Sequence, residues 1–207
     1  MTTAFKPPPY PYPLAPWAEI VPHVPPMTAD DLHALPDDSW QYELVKGVLV
    51  RMPLSGGEAS YIGYRLGSRL SVYVEDRGLG AVTGEAGGYR PDPERPEDTA
   101  LGPDVAFVRA DRVLARTSSD YSKAWPLAPD LAVEVASPFQ YHPGMRAKAR
   151  LYLSYGTRLV WVIWLRWQQV DVWRPGDEEA TVLRIGDTLD AGDVVPGFTY
   201  PVANLFA

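Results

Sequence analysis

The chain has no cysteine and only three histidines among its 207 residues. The lack of cysteine excludes disulfides, thiolate zinc sites and a cysteine nucleophile. His23, His33 and His142 are scattered and no H-E-x-x-H motif is present, so a histidine-rich zinc site is not expected. No apolar run is long enough to span a bilayer, and the N-terminus lacks the basic start and apolar core of a signal peptide. A cytoplasmic location is therefore the default expectation.

Positive charge is also in short supply, with 19 Lys and Arg against 26 Asp and Glu and a net charge of −7. This balance argues mildly against a protein that coats nucleic acid electrostatically. The cations are unevenly placed, because six of them and one acid, Asp171, fall between Ser137 and Arg174. This stretch could form a local basic face for a phosphate backbone, and a solvated surface explains it equally well.

Proline is abundant at the N-terminus, where residues 1–26 carry nine of them. The run Pro7-Pro8-Pro9-Tyr10-Pro11-Tyr12-Pro13 favours polyproline II and excludes a helix. We interpret residues 1–26 as an extended arm that is either disordered or packed on the partner subunit of a homodimer. A ligand for a polyproline-binding domain is the less favoured alternative. Residues 27–207 are predicted to form one folded domain.

Within this domain, helical and strand patterns alternate and predict a mixed sheet with helices layered on it, an α/β or α+β fold. The predicted helices cover 28 to about 35, 57 to about 77, and about 145–155, and the first begins at an N-cap box formed by Thr28 and Asp31. The predicted strands cover 42–45, 48–50, 81–83, 104–108, 130–136, 159–164, 170–173 and 181–185.

Three charged residues interrupt these patterns. Asp104 opens the strand Val105-Ala106-Phe107-Val108, and Glu134 lies within the apolar run 130–136. Lys148 follows on the next predicted helix. An acid within a buried strand is costly unless it is paired or binds a cation. The three residues together suggest a hard-metal site for phosphodiester chemistry.

Strand alternation places Glu134 on the same face as Asp130, Ala132 and Ala136, and the small alanines leave room for an ion and water. Magnesium prefers carboxylate and carbonyl oxygens and keeps several waters. Asp104 and Glu134 could supply two carboxylates, with the Val135 carbonyl as a third oxygen. Lys148 would then stabilise the charged transition state or orient the attacking water.

Ordinary roles for the same residues remain open. Asp104 could cap a strand end, which is a common use of a Pro-Asp pair. Glu134 could form a salt bridge with Lys148 or Arg146.

Several motifs occur in an order and spacing that resemble a known family. They are Tyr42-Glu43-Leu44-Val45-Lys46-Gly47, Pro103-Asp104 with its strand, residues 130–138, Lys148 with Tyr152, Gly156, Trp161-Val162-Ile163 and Pro196-Gly197-Phe198. The chain resembles the Uma2 (DUF820) family of endonucleases, within the PD-(D/E)XK restriction-endonuclease-like superfamily. The resemblance covers about residues 27–207 and implies a mixed central sheet flanked by helices.

The resemblance also implies a site and a function. Asp104 and Glu134 would be metal ligands, with Glu43 as a further ligand directly or through water. Lys148 would be the catalytic lysine, standing in for the lysine that the superfamily usually has at the position of Ala136. The implied activity is hydrolysis of DNA phosphodiester bonds with Mg²⁺, or Mn²⁺, as cofactor.

The chain departs from the family pattern at several supporting positions. It lacks a histidine near Ala59 and an aspartate near Gly144, and it has Trp164-Leu165 where Asp-Pro is usual. Supporting residues set geometry and metal affinity. The departures therefore leave two alternatives open: a catalytically silent member that binds nucleic acid or protein, and an assembly protein.

Overall fold

A computed structural model describes residues 18–21, 27–35, 40–85, 87–92, 95, 98–113, 124–136 and 142–207. Its centre is a six-stranded sheet with the strand order β4-β5-β6-β7-β8-β9. The strands β6 and β7 run parallel, and every other neighbouring pair in this sheet is antiparallel. The six strands are β4 (Gly80–Gly84), β5 (Val105–Arg109), β6 (Leu131–Ala136), β7 (Leu159–Trp164), β8 (Gln169–Trp173) and β9 (Thr181–Arg184).

The two longer helices cover opposite faces of this sheet. Helix α2 (Gly57–Asp76) packs on one face through apolar residues at helical spacing, including Ile62 and Leu66. Helix α3 (His142–Ser154) packs on the other face and connects β6 to β7, as a parallel pair requires. Alternation along β6 sends Leu131, Val133 and Val135 to the α2 side and Ala132 and Ala136 to the α3 side.

A smaller sheet with the order β1-β3-β2 lies beside the larger one. Its strands are β1 (Glu19–Ile20), β2 (Trp40–Val45) and β3 (Val48–Pro53), with the short helix α1 (Ala29–His33) packed nearby. The turn between β2 and β3 is made by Lys46 and Gly47, whose φ angles of 51° and 74° are those of a tight hairpin turn.

The C-terminal region completes the apolar core on the α2 face. Strands β10 (Thr188–Asp190) and β11 (Thr199–Pro201) form an antiparallel pair. Residues between Leu189 and Leu205 join the cluster that contains Ile62 and Leu66 of α2. This region therefore shields one face of the sheet from water.

The predicted fold class is confirmed as a mixed α+β domain. The predicted helices and strands all occur, with ends that differ by a few residues. The N-cap box is also present, since the Asp31 N–H donates to the Thr28 hydroxyl (3.2 Å) and the Thr28 N–H donates to the Asp31 carboxylate (2.9 Å). In the described ranges, no helix is both long and apolar enough to cross a bilayer.

Strand β1 was not predicted. It lies inside the segment interpreted as an arm and pairs with β3, where Glu19 is opposite Arg51. Two residues are too short to give a strand signal in a proline-rich sequence. Residues 1–17 and 22–26 lie outside the described residues, so the arm itself stays a prediction.

Candidate active site

Strand register brings the predicted acids together at one end of the central sheet. Val105 on β5 is opposite Val133 on β6, so one further step along the two strands places Asp104 beside Glu134. The β4–β5 register pairs Gly84 with Val105, and the same step places Glu85 opposite Asp104. Strand pairing therefore brings the backbones of these three acids to the same end of the sheet.

Asp104 is held by the backbone of β6. Its Oδ2 accepts a hydrogen bond from the Val135 N–H at 2.5 Å. The N–H and C=O of one strand residue point to the same side of the strand. The Val135 carbonyl is therefore directed to the side on which Asp104 lies.

Lys148 lies between two carboxylates. Its Nζ is 2.5 Å from Glu43 Oε1 and 2.9 Å from Glu134 Oε1. Glu43, Glu134 and Lys148 are exposed by 4%, 6% and 8%, so the whole network is shielded from solvent. Tyr152, one turn after Lys148 on α3, donates its hydroxyl proton to Glu134 Oε1 at 2.9 Å. Lys148 Nζ also donates to Glu134 Oε2 at 2.9 Å, so both oxygens of Glu134 are held from α3.

Glu43 reaches this site from the smaller sheet. Leu44 joins the cluster around α1, while Val45 joins the cluster on the α3 face of the large sheet. Alternation therefore turns Glu43 to the same side as Val45, toward α3. Backbone hydrogen bonds of 3.0 and 2.8 Å between Leu44 and Ala100 attach the segment that leads to Asp104 to the edge of β2.

The cluster has more negative than positive charge, with the carboxylates of Glu43, Asp104 and Glu134 around one ammonium group. Burial alone would lower the pKa of Lys148, but the charges of Glu134 and Glu43 outweigh burial and raise it. Burial raises the pKa of Glu134, the charges of Asp104 and Glu43 add to this, and Lys148 opposes it. The Lys148 ammonium group therefore stays charged, while the Glu134 carboxylate resists ionisation.

Asp104 shows the same excess of negative charge. Burial raises the pKa of Asp104 to about 6, and the charges of Glu85 and Glu43 act in the same direction. The Val135 hydrogen bond and the charge of Lys148 oppose the rise. A second cation would relieve this repulsion, because an opposite charge nearby favours ionised carboxylates.

The donors present are of the type that a hard divalent cation prefers, namely carboxylate and carbonyl oxygens. Across the described ranges, no three His, Asp or Glu side chains form a ready-made cage. Magnesium usually takes only one or two carboxylates and keeps several waters. The space beside Glu134, expected to be open, is filled by the Lys148 ammonium and the Tyr152 hydroxyl. The nearest fit is therefore Asp104, the Val135 carbonyl and one oxygen of Glu134.

The structure brings Glu43, Glu134 and Lys148 into direct contact and puts Asp104 at the neighbouring strand end. The ion pair considered for Glu134 is made with Lys148 and not with Arg146, which pairs with Glu179 at 3.5 Å. Asp104 is half-buried and accepts the Val135 N–H, a contact that a strand cap would also make. The catalytic and metal-binding roles of these residues stay predictions.

Two residues of this site carried no assigned role in the sequence interpretation. Tyr152 follows Lys148 by four residues, a spacing that places both on one helix face, and this signal could have found it. Glu85 directly follows β4 and belongs to no motif of the sequence. Only the register of β4 and β5 shows that it lies opposite Asp104.

Four of the six cations between Ser137 and Arg174 already have a partner within the described part of the chain. Arg150 donates to the Glu178 carbonyl at 2.5 Å, and Arg158 pairs with Asp193. Arg146 is paired as described above, and Lys148 is buried. Arg166 and Arg174 are exposed, and a bound cation would add to the phosphate affinity that they supply.

Known proteins resemble this chain in two ways, through a family model that matches its sequence and through a solved structure with a similar fold. The family model of Uma2, described as "Putative restriction endonuclease", matches residues 29–203. The chain is also similar to a crystal structure of a "putative nuclease belonging to DUF820" from Anabaena variabilis, with a TM-score of 0.72 and 21% identity over 87% of this chain and 98% of that one. A search of curated proteins finds no match. Because the family model spans most of its length, the chain belongs to the Uma2 family.

Proposed function

We propose that the chain is a metal-dependent endonuclease that hydrolyses DNA phosphodiester bonds at Asp104, Glu134 and Lys148. The observation that carries this proposal is the buried cluster in which one lysine is shared by Glu43 and Glu134 while Asp104 is fixed on the next strand. A purely structural ion pair needs one acid for one base. This cluster has an excess of carboxylates at a sheet end, and the family description is of a nuclease.

Asp104, Glu134 and the Val135 carbonyl would hold the metal, and Glu43 would act directly or through a water. Mg²⁺ is the expected ion and Mn²⁺ a substitute, since both prefer oxygen ligands. When bound, such an ion polarises the phosphate and lowers the pKa of a coordinated water.

The protein groups have separate tasks. Lys148 keeps its proton on Nζ and supplies a fixed positive charge to the developing charge on the phosphate. Glu43 holds the ammonium group in place, and the Tyr152 hydroxyl holds the Glu134 carboxylate. The Val135 N–H keeps Asp104 in one orientation. Each group is thus positioned before a substrate arrives.

The test is DNA cleavage with Mg²⁺ or Mn²⁺ by the wild type, Glu134→Gln and Asp130→Asn. Asp130 is the matched control, because it is a buried acid near the start of the same strand and is paired with Arg112 at 2.8 Å. Cleavage should be lost in Glu134→Gln, by about 10²-fold or more, and kept in Asp130→Asn. Equal cleavage by the wild type and Glu134→Gln would contradict the assignment of Glu134 to the active site.

A catalytically silent, nucleic-acid- or protein-binding role is the second candidate. It is favoured by the closed contacts of Lys148, which occupy the space beside Glu134 without any metal. Calorimetric titration separates the two roles, because a silent member would show no metal affinity at millimolar concentration. The homodimer and the packing of residues 1–26 on a partner stay predictions.

A further inference from the structure

A concave groove of about 350 Å³ lies between α2 and β4 and ends at Asp104. Its volume is at the lower end of the range for small-molecule sites, about 300–1,000 Å³. The α2 wall is built from small residues such as Gly63, where an added Cβ would lie only 3.7 Å from Asp104 Cβ. The groove is therefore continuous with the candidate active site.

The lining of the groove has hydroxyl groups and acids. Ser60, Ser68 and Thr83 contribute hydroxyls, Glu85 and Asp104 contribute carboxylates, and no Lys or Arg is among the described residues that line it. A phosphate would be repelled by such a lining. A neutral ring that donates hydrogen bonds would be accepted.

Aromatic surface is available at the groove. Tyr64 on α2 lines it and is 75% exposed. Stacking of a base on an aromatic side chain is a main source of affinity for single-stranded nucleic acid. An exposed tyrosine beside a groove that offers hydrogen-bond acceptors and repels phosphate is thus suited to a nucleobase.

Glu85 gives the groove a selective group. Its Oε1 accepts from Gln41 Nε2 at 2.9 Å and its Oε2 from the Ser60 hydroxyl at 3.4 Å. A carboxylate has about four acceptor positions, so Glu85 keeps capacity for further donors. Amino groups such as N4 of cytosine are recognised in this way.

We propose that this groove binds one unpaired base of the DNA strand whose phosphate lies at Asp104, with Glu85 accepting hydrogen bonds from the amino edge of that base. This proposal rests on the proposed nuclease function and specifies the form of DNA that the protein acts on. A base within a duplex cannot reach such a pocket unless it leaves the stack. Single-stranded or locally unpaired DNA is therefore the substrate class.

The experiment measures binding of end-labelled oligo(dC), oligo(dT) and a duplex by fluorescence anisotropy with Ca²⁺, another oxygen-binding divalent cation, in place of Mg²⁺. Gel electrophoresis confirms that the oligonucleotides stay intact. Ser68→Trp fills the groove, and Val72→Trp is the control because Val72 is exposed on the same helix but does not line the groove. Ser68→Trp should bind oligo(dC) about tenfold more weakly, with Val72→Trp unchanged. Tyr64→Ala should also weaken binding, whereas Tyr61→Ala should not. These truncations test the groove even if Ser68→Trp fails to fold.

Base preference tests Glu85. The wild type should favour oligo(dC) over oligo(dT) by about fivefold, because thymine presents an acceptor where cytosine presents an amino group. Glu85→Gln should remove this preference, since an amide can both donate and accept. Equal binding of the two oligonucleotides by the wild type would overturn the role of Glu85.

The remaining outcomes separate this proposal from the nuclease assignment. Duplex binding as tight as single-strand binding, free dCMP binding as tight as oligo(dC), or no effect of Tyr64→Ala and Ser68→Trp would overturn the groove proposal. The nuclease assignment would still be supported in that case if duplex cleavage required Glu134. Groove-dependent binding without Glu134-dependent cleavage would instead overturn the nuclease assignment alone.

Discussion

Two buried acids near opposite ends of β6 are stabilised in different ways. Asp130 is 1% exposed and lies 2.8 Å from Arg112 and 3.8 Å from Arg109, and it also accepts the Arg109 N–H at 2.9 Å. Glu134 is 6% exposed and shares its lysine with Glu43. Asp130 therefore has Arg112 as its own cation and shares Arg109 with Asp111, whereas Glu134 has only a share of one lysine.

The difference separates a structural acid from a candidate catalytic one. The Asp130 site is electrically complete, and its arginines are partly exposed, so it needs no further ligand. The cluster around Glu134 contains more carboxylates than cations in a buried place. Such an arrangement is costly for stability and is expected where function requires a cation.

The largest effect is expected from Lys148→Met in EDTA. The change leaves Glu43 and Glu134 buried without their cation, which should lower the free energy of unfolding by about 3–5 kcal/mol. Urea denaturation measures it. The control is Arg146→Ala on the same helix, which removes an exposed pair with Glu179 and should cost about 0–1 kcal/mol. Similar losses in the two variants would contradict the picture of a charge-imbalanced site.

Asp104→Asn should stabilise the metal-free protein. The pKa of Asp104 is about 6 in the folded state against an ordinary value of 3.8, so the ionisation of Asp104 destabilises the folded state as the pH rises between these values. Asn removes this penalty and still accepts the Val135 N–H. The expected gain is about 2–3 kcal/mol above pH 7, falling toward zero near pH 4. Denaturation curves at several pH values test it, and a loss at pH 7 would contradict the prediction.

Asp130→Asn should lower the free energy of unfolding, and by less than Asp104→Asn raises it. It weakens charge-assisted hydrogen bonds to Arg112 and Arg109 and should cost about 1–2 kcal/mol. Divalent-metal affinity should not change, because Asp130 lies away from Asp104 and Glu134. A loss of metal affinity in this variant would show that the two acids belong to one site.

The smallest effect is expected from Tyr152→Phe. It removes the hydroxyl that donates to Glu134, and the cost should be about 1 kcal/mol. The matched change Tyr155→Phe removes a 3.5 Å contact with Thr99 and should cost less. Thermal unfolding of both variants provides the comparison. An equal loss of stability in the two variants would mean that the Tyr152 hydroxyl does not hold the Glu134 carboxylate.

Local signals in the sequence predicted much of the fold. The Thr28 cap, the Lys46-Gly47 turn and the spacing of Ile62 and Leu66 each depend on residues close in the chain, so their elements were recognisable. Alternation also assigned Glu134 to the correct face. Strand β1 was missed because its pairing with β3 is not local.

The site was predictable only in part, for the same reason. Glu43 entered through the family resemblance, since nothing in its own hairpin indicates that it meets Lys148. The location of Glu85 opposite Asp104 depends on a strand register that no short motif encodes. The space beside Glu134 is filled by the side chains of Lys148 and Tyr152. Strand alternation does not determine the rotamers of these two side chains on α3.

The most direct test of the account is calorimetric titration of Mn²⁺ into the wild type, Glu134→Gln and Asp130→Asn at neutral pH. We predict saturable binding with proton release in the wild type and Asp130→Asn, because the carboxylates with raised pKa values must lose protons to bind the ion. Binding should be lost in Glu134→Gln. Equal binding by wild type and Glu134→Gln, or no binding by the wild type at millimolar Mn²⁺, would contradict the central claim that the excess of carboxylates around Lys148 is a cation site.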